Sequence, residues 1–480
     1  MTAPAFRYID LFAGIGGFHA VLDAMGGECV YAVEIDPAAR AVYEANWGTS
    51  AKGRNAVGDI TLDADEGVMA VPTHDVLVAG FPCQPFSKSG AQRGMDEARG
   101  TLFFNIMEII QARQPAVVLL ENVRNLAGPR HVHEWDVIIR SLREAGYRVS
   151  QTPAIFSPAL IAPEHGGHPQ TRDRVFIAAT RITDGSDPEQ VIDPIRLDPS
   201  ILMPTEREWS LATHLPLDDA EDVPGTGVSQ VEWTWIDAWD EWVQHTREML
   251  TVQAERDGRK AAPLPGHPIW AHAWTTDEGQ REKLRSEAKD MAWKQTFYKK
   301  NWDLYKDLIA FDPDWVASWL DKVHTFPESR QKFEWQAQTA TRVRHCVISL
   351  RPSGLRVKRM THLPALVAIT QTPILGPLSR RLSVTEAARL QGLPDNFTFA
   401  GQRDAATFKQ LGNGVNTGVV AQVLLAQITR DADLLQIDPR GRRIHQAVTT
   451  TMSRSGGDLR EEIQAAVARG QQRATLASAS

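Results

Sequence analysis

Cysteine is scarce in this 480-residue chain: three residues, at positions 29, 83 and 346, lie too far apart for a C-x-x-C metal site or a disulfide framework. The odd count suits a reducing compartment, so a cytoplasmic protein is expected. No run of about 18 apolar residues occurs, and the N-terminus lacks the apolar core of a secretion signal, so no membrane passage is expected. There is no internal repeat. Nor is there an excess of positive charge: 52 basic against 59 acidic residues give −7, which excludes a uniformly basic nucleic-acid coat but not a local groove. One stretch lacks the opposite sign. Between Trp335 and Glu386 no acid occurs, while Arg342, Arg344, Arg351, Arg356, Lys358, Arg359, Arg380 and Arg381 supply eight positive charges, the candidate groove.

What is present suffices for a large core. The residues are 42% hydrophobic, and the length suggests two to four domains. From residue 8 to about 180, short β-branched runs alternate with helical periods, the pattern of a mostly parallel sheet flanked by helices. Strands are expected at 8–11, 29–33, 76–79, 117–120 and 175–179. Phe18, Val21, Leu22 and Met25 give the helix between the first two strands, and Asp36-Pro37 opens the next as N-cap and first helical residue. Twelve of the fourteen tryptophans fall between 209 and 335. Their spacing, as at Trp235, Trp239 and Trp242, reads as core rather than as stacking platforms for bases. Ser383 and Glu386 form a capping box where α/β character returns. The expected organisation is a catalytic domain at 1–180, an inserted, irregular domain at 181–379, a return to the catalytic domain at 380–430, and a polar, partly disordered tail at 431–480 in which Leu459 to Val467 could form a short helix.

Ligands of an open parallel sheet bind beyond the carboxyl ends of its strands. Four ends carry polar chemistry: Asp10-Leu-Phe-Ala-Gly-Ile-Gly-Gly17, Glu34-Ile-Asp36, Gly80-Phe-Pro-Cys83 and Glu121-Asn122. Counted from Gly14, the third glycine of a dinucleotide fingerprint is replaced by His19, which disfavours a pyrophosphate. Glu34 can still accept from ribose hydroxyls, so a nucleoside cofactor without a diphosphate is expected, S-adenosylmethionine above all. Asp59 is either a further carboxylate for an adenine amino group or a turn residue. Cys83, between two prolines and followed by a glycine-punctuated loop with Lys88, Arg93 and Arg99, is a candidate nucleophile closing over an anionic polymer, provided the site favours its thiolate. Glu121, at the end of an aliphatic run, is a candidate proton donor, its ionised form disfavoured by burial. Arg172 and Arg174, at i and i+2 on a strand, share a face and suit a carboxylate and a carbonyl oxygen. Glu164-His165-Gly-Gly-His168 reads as a loop, and no metal is expected.

Taken in order, these segments resemble the C5 cytosine-specific DNA methyltransferase family. Asp10 to Phe18 resembles its cofactor loop, Gly80 to Ser87 its nucleophile motif, Glu121-Asn-Val123 its proton-donor motif and Gln170-Thr-Arg-Asp-Arg174 its paired-arginine motif; two later segments, at 381–395 and 410–416, resemble its closing motifs. The resemblance covers residues 1 to about 180 and 380 to 430. It implies a Rossmann-like class I S-adenosylmethionine-dependent methyltransferase sheet with helices on both faces, plus a smaller target recognition domain. By the same resemblance Cys83 adds to cytosine C6, Glu121 serves N3, Arg174 holds O2, Arg172 orients the catalytic groups and Asn122 positions the base. Asp10, Phe12, Gly14, Gly16, Glu34, Asp59, Ile60, Pro82, Asn413 and Val415 are the implied cofactor contacts. Gly414 departs from the family, where serine is frequent. The substrate implied is a cytosine flipped out of double-stranded DNA, with Ser87, Ser89, Arg93 and Arg99 in the closing loop and Arg351, Arg356 and Lys358 in the recognition region as DNA contacts. A monomer in the cytoplasm of a prokaryotic or phage host, associated with the nucleoid through DNA and paired with a restriction endonuclease, completes the expectation. A tRNA cytosine methyltransferase and a catalytically silent DNA-binding relative are the alternatives.

Overall fold

The computed structural model describes residues 3–65, 67–82, 102–218, 223–366 and 372–479. Its centre is a seven-stranded sheet. In chain order the main elements are β1 (Phe6–Leu11), α1 (Gly17–Ala24), β2 (Gly27–Val33), α2 (Pro37–Trp47), β3 (Val76–Gly80), α3 (Leu102–Arg113), β4 (Val117–Val123), α4 (Val132–Glu144), β5 (Tyr147–Val149), β6 (Ala154–Phe156) and β7 (Arg174–Arg181). The spatial order is β2-β1-β3-β4-β7-β5, with β6 also on β7. β2, β1, β3 and β4 are parallel neighbours, and β7 runs antiparallel to β4, β5 and β6. All five expected strands are present, and β5 and β6 are additions to them. Because helices cover both faces, β3 and β4 are almost continuously apolar, Val-Leu-Val-Ala and Val-Val-Leu-Leu.

The chain leaves β1 toward β2 on one side and crosses back to β3 on the other. The gap between the carboxyl ends of β1 and β3 is therefore a topological switch point, where such sheets bind ligands. Asp36 caps α2 as expected, its Oδ1 accepting from the amide of Ala38 at 2.9 Å with Pro37 at the first helical position.

The Trp-rich part folds around a second sheet. Its elements are α5 (Gln230–Arg256), β8 (Ile269–Trp270), α6 (Ala292–Phe311), α7 (Pro313–His324), β9 (Lys332–Gln336), β10 (Val347–Arg351), β11 (Gly354–Lys358), β12 (Ile374–Leu375) and β13 (Arg380–Arg381), in the order β8-β9-β11-β10-β12-β13. The tryptophans are its core: Trp239 stacks on Phe333 with ring centroids 4.7 Å apart, and Trp242, Trp319 and Trp335 are buried around them. Their amphipathic rings are accommodated by backbone carbonyls, Trp239 donating to Arg330 and Trp319 to Ala238, each at 2.8 Å.

After α8 (Val384–Leu390), opened by the expected Ser383 capping box, come α9 (Asp404–Asn413) and α10 (Thr417–Arg430). The region beyond 430, expected to be a partly disordered tail, instead carries α11 (Pro439–Arg454) and α12 (Arg460–Ala479). Ile444, Val448, Ile463, Ala466 and Val467 are buried in the same core as α1 and α2. The reason is that few large apolar residues are needed where small ones permit close approach. Gly470 lies against the backbone of Asn46 and Trp47, where any Cβ would collide.

Candidate active site

A cavity of about 410 Å³ lies at the switch point. Its walls come from the loop after β1, the ends of β2, β3 and β4, Arg174 of β7, and residues 409–415 at the end of α9. Of the expected cofactor residues, Phe12, Gly14, Glu34, Pro82, Asn413 and Val415 line it; of the expected catalytic residues, Glu121, Asn122 and Arg174 do. Cys83 follows Pro82 directly but, with Ser87, Ser89, Arg93 and Arg99, lies outside the described residues.

The cofactor end is organised by Glu34. Its Oε2 accepts from the amide of Gly14 at 2.9 Å and its Oε1 from that of Asp36 at 2.8 Å, so one carboxylate fixes both loops and keeps lone pairs for a ligand. Phe12 has φ 55, a left-handed conformation that costs a non-glycine residue about 1–3 kcal/mol and tends to mark functional loops. Ile35, Phe18 and Val415 add apolar surface, while the lining residues of 12–18 and 34–39 bring no cation for a diphosphate. An adenosine-type cofactor fits this lining.

Four expected cofactor contacts do not line the cavity. Asp10 is fully buried behind the loop. Burial raises its pKa well above the carboxylate range, and the backbone amide of His19 is what favours its charge. Gly16 caps α1 with φ 91, and a side chain there would run into the Trp47 indole, which itself donates to Ile15 O at 3.1 Å. Asp59 accepts from the amide of Thr61 at 3.0 Å, capping a short 3₁₀ turn, and Ile60 is buried in the sheet's other core. All four support the loops rather than the cavity wall. The sequence motif marks both kinds of residue alike.

At the opposite end Glu121 and Arg174 meet. Arg174 pairs with Val123 across the antiparallel ladder, which puts Glu121 two positions along on the same face. Arg174 Nε lies 2.8 Å from Glu121 Oε1. Glu121 is 7% exposed, and burial raises its pKa against the opposing pull of Arg174 and Arg172. Asn122 Nδ2 donates to Phe81 O at 2.9 Å, tying β4 to the segment that leads into Cys83.

Arg172 is buried away from the cavity. Its Nη2 donates to Gly412 O at 2.8 Å and Gly414 O at 2.6 Å, and its Nη1 to Leu366 O at 3.4 Å. Burial and the neighbouring Arg174 disfavour its charge, and these carbonyls offset that. It thereby joins the segment entering β7, the α9 terminus and the chain around Leu366, a role that residue spacing does not reveal. Gln410, of the expected closing segment, also lines the cavity, and so does Lys409, which was not singled out in the sequence.

The expected basic groove is largely neutralised. Arg342, Arg344, Arg356, Arg359, Arg380 and Arg381 pair with Asp240, Asp237, Glu334, Glu208, Glu386 and Glu232 respectively, at 2.5–2.7 Å. A stretch without acids in sequence packs against acids from elsewhere, three of them on α5. Among the described residues, Arg351 and Lys358 are the two of the eight for which no ion pair is found.

A sheet of this topology, with a carboxylate-braced glycine loop and a buried glutamic acid at one rim, defines a Rossmann-like methyltransferase. Residues 6–429 match the model of the C-5 cytosine-specific DNA methylase family, and the chain belongs to that family. It is a DNA (cytosine-5-)-methyltransferase. It is 44% identical to Type II methyltransferase M.AluI of Cellulosimicrobium cellulans over 92% of this chain and 96% of that one. It is 28% identical to Type II methyltransferase M.HgiBI of Herpetosiphon aurantiacus over 86% and 95% of the two chains. With Type II methyltransferase M.HhaI of Haemophilus parahaemolyticus the identity is 41%, over 36% of this chain and 49% of the relative. No helix among the described residues is long and apolar enough to cross a membrane.

Proposed function

We propose that this methyltransferase acts on a cytosine flipped out of double-stranded DNA, with Cys83 as nucleophile and S-adenosylmethionine as methyl donor. The observation that carries the reading is the buried Glu121–Arg174 pair at the rim of the cavity, one strand from Pro82. Cytosine C5 is a poor nucleophile. The Cys83 thiolate adds to C6 while Glu121 gives a proton or hydrogen bond to N3, so the C5–C6 double bond is lost and a C4–C5 double bond forms beside the exocyclic amine, an enamine whose C5 is nucleophilic. Arg174 holds O2 and, through its ion pair, the carboxyl. S-adenosylmethionine, when bound, would supply an electrophilic methyl to C5 and leave as S-adenosylhomocysteine. Loss of the C5 proton to solvent water, return of the N3 proton to Glu121 and expulsion of the Cys83 thiolate then restore the ring as 5-methylcytosine. Phe12, Gly14, Glu34, Pro82, Asn413 and Val415 hold the cofactor; Asn122 keeps the nucleophile segment in place, and Arg172 fixes the surrounding loops. Ser87, Ser89, Arg93 and Arg99 meet the DNA backbone and the vacated space in the duplex.

The Type II relatives support a role in a restriction–modification system. In this reading the protein works beside a cognate endonuclease, as a monomer in a prokaryotic or phage-infected cytoplasm, bound to the nucleoid through DNA. Purified protein should transfer labelled methyl from S-adenosylmethionine to duplex DNA and form a covalent adduct with a 5-fluorocytosine duplex. Cys83→Ala should abolish both while retaining cofactor affinity. Transfer to tRNA but not to DNA, or full activity in the variant, overturns the reading.

A further inference from the structure

In the recognition sheet β9, β11 and β10 lie side by side, and their residues alternate between two faces. Phe333, Trp335, Leu355, Val357, Ile348 and Leu350 are buried on the tryptophan side. The other face is a polar grid. Glu334 stands opposite Arg356, and Arg356 opposite Ser349; Gln336 stands opposite Lys358, and Arg351 opposite Gly354. Glu334 neutralises Arg356 at 2.6 Å. Arg351 and Lys358 have no ion pair among the described residues, are half-buried, and their charges are disfavoured by burial and by the neighbouring Arg356. Three cations against one carboxylate leave this grid short of negative charge.

One corner of the grid borders a cavity that neighbours the one at the switch point through α9. Ser349 and Arg351 form one wall of a cavity of about 310 Å³ whose other wall includes Pro364, Leu366 and Phe408. Lys409 and Gln410, next on α9, line the 410 Å³ cavity, and Leu366 O is held by Arg172. A guanidinium recessed among apolar groups suits the edge of a heterocycle, whose adjacent acceptors match its fork, better than a hydrated phosphate.

We infer that this sheet face reads the duplex beside the flipped cytosine: Arg351 determines the identity of one base pair, and Lys358 meets a backbone phosphate. The inference rests on duplex DNA being the substrate. The site methylated by the wild-type enzyme is first mapped on a plasmid by bisulfite sequencing. Methyl transfer is then measured on oligonucleotide duplexes carrying that site and each single-pair change, at several salt concentrations. Arg351→Ala should lower kcat/KM on the mapped site by about 10- to 100-fold and erase discrimination at one base pair, with cofactor affinity unchanged. Arg351→Lys, which keeps the charge and loses the fork, should lose the same discrimination. Lys358→Ala should weaken binding to all duplexes alike and reduce the slope of log affinity against log salt by about 1. Discrimination retained at every position in both Arg351 variants, with or without a uniform loss of rate, overturns the assignment. A wild-type enzyme that leaves duplex DNA unmethylated overturns the proposed substrate instead.

Discussion

Around the seven-stranded sheet the polar residues that matter stand at strand ends, whereas on the recognition sheet they stand along strand faces. The first arrangement follows from topology. Both faces of β3 and β4 are covered, so polar chemistry can emerge only at the carboxyl rim, and Gly14, Glu34, Pro82 and Glu121 converge there. In the second arrangement one face is buried on tryptophans and the other is open along its length, so what a charge does depends on its neighbours across the ladder. The end-built site is written in short segments. The face-built one is written in pairings between distant parts of the chain.

Four experiments break or sharpen this contrast. The largest expected effect is at the rim. Because burial raises the Glu121 pKa, the folded protein binds that proton more tightly than the unfolded chain does, and ionisation weighs against folding once pH rises above the unfolded range near ~4.3. Glu121→Gln should match the parent in thermal stability below about pH 4 and exceed it at neutral pH, while methyl transfer falls by about 10²–10⁴. A variant less stable at pH 7 would mean that the ion pair to Arg174 outweighs burial. Next, Trp239→Ala should remove about 3–5 kcal/mol in denaturant titrations and abolish DNA methylation. Calorimetric binding of S-adenosylmethionine should survive, since the residue lies in the other core; loss of both would show the halves to be energetically inseparable. Gly470→Leu should overpack the α2–α12 contact at about 1–3 kcal/mol and weaken cofactor binding more than DNA binding. Equal weakening of both would separate α12 from the glycine loop. The smallest effect belongs to Arg359→Ala. Its partner Glu208 is exposed, and neither melting temperature nor methylation should change measurably.

How much was legible follows the same line. The strands and the Asp36 and Ser383 caps are local, so spacing reveals them, whereas the meeting of Glu121 with Arg174 depends on β7 lying antiparallel beside β4, which no local spacing gives. Asp10, Gly16, Asp59 and Ile60 sit in the same motifs as true wall residues, and a motif alone does not say which side chain faces inward. The pairing of Arg344 with Asp237 spans 107 positions, and nothing in either segment announces the other. α12 was obscured by its composition: its small and polar residues resemble a solvated tail, yet close packing around Gly470 gives it a core position.

That last helix sets an order on the making of the enzyme. Arg473 donates to Trp47 O at 3.0 Å, and Gln471 reaches Asn46 Oδ1 at 3.2 Å, so the platform beneath Ile15 and Gly16 is finished by residues of α12. During translation both sheets emerge before the loop after β1 has this support. The start of the fold is thus braced across 425 positions of chain.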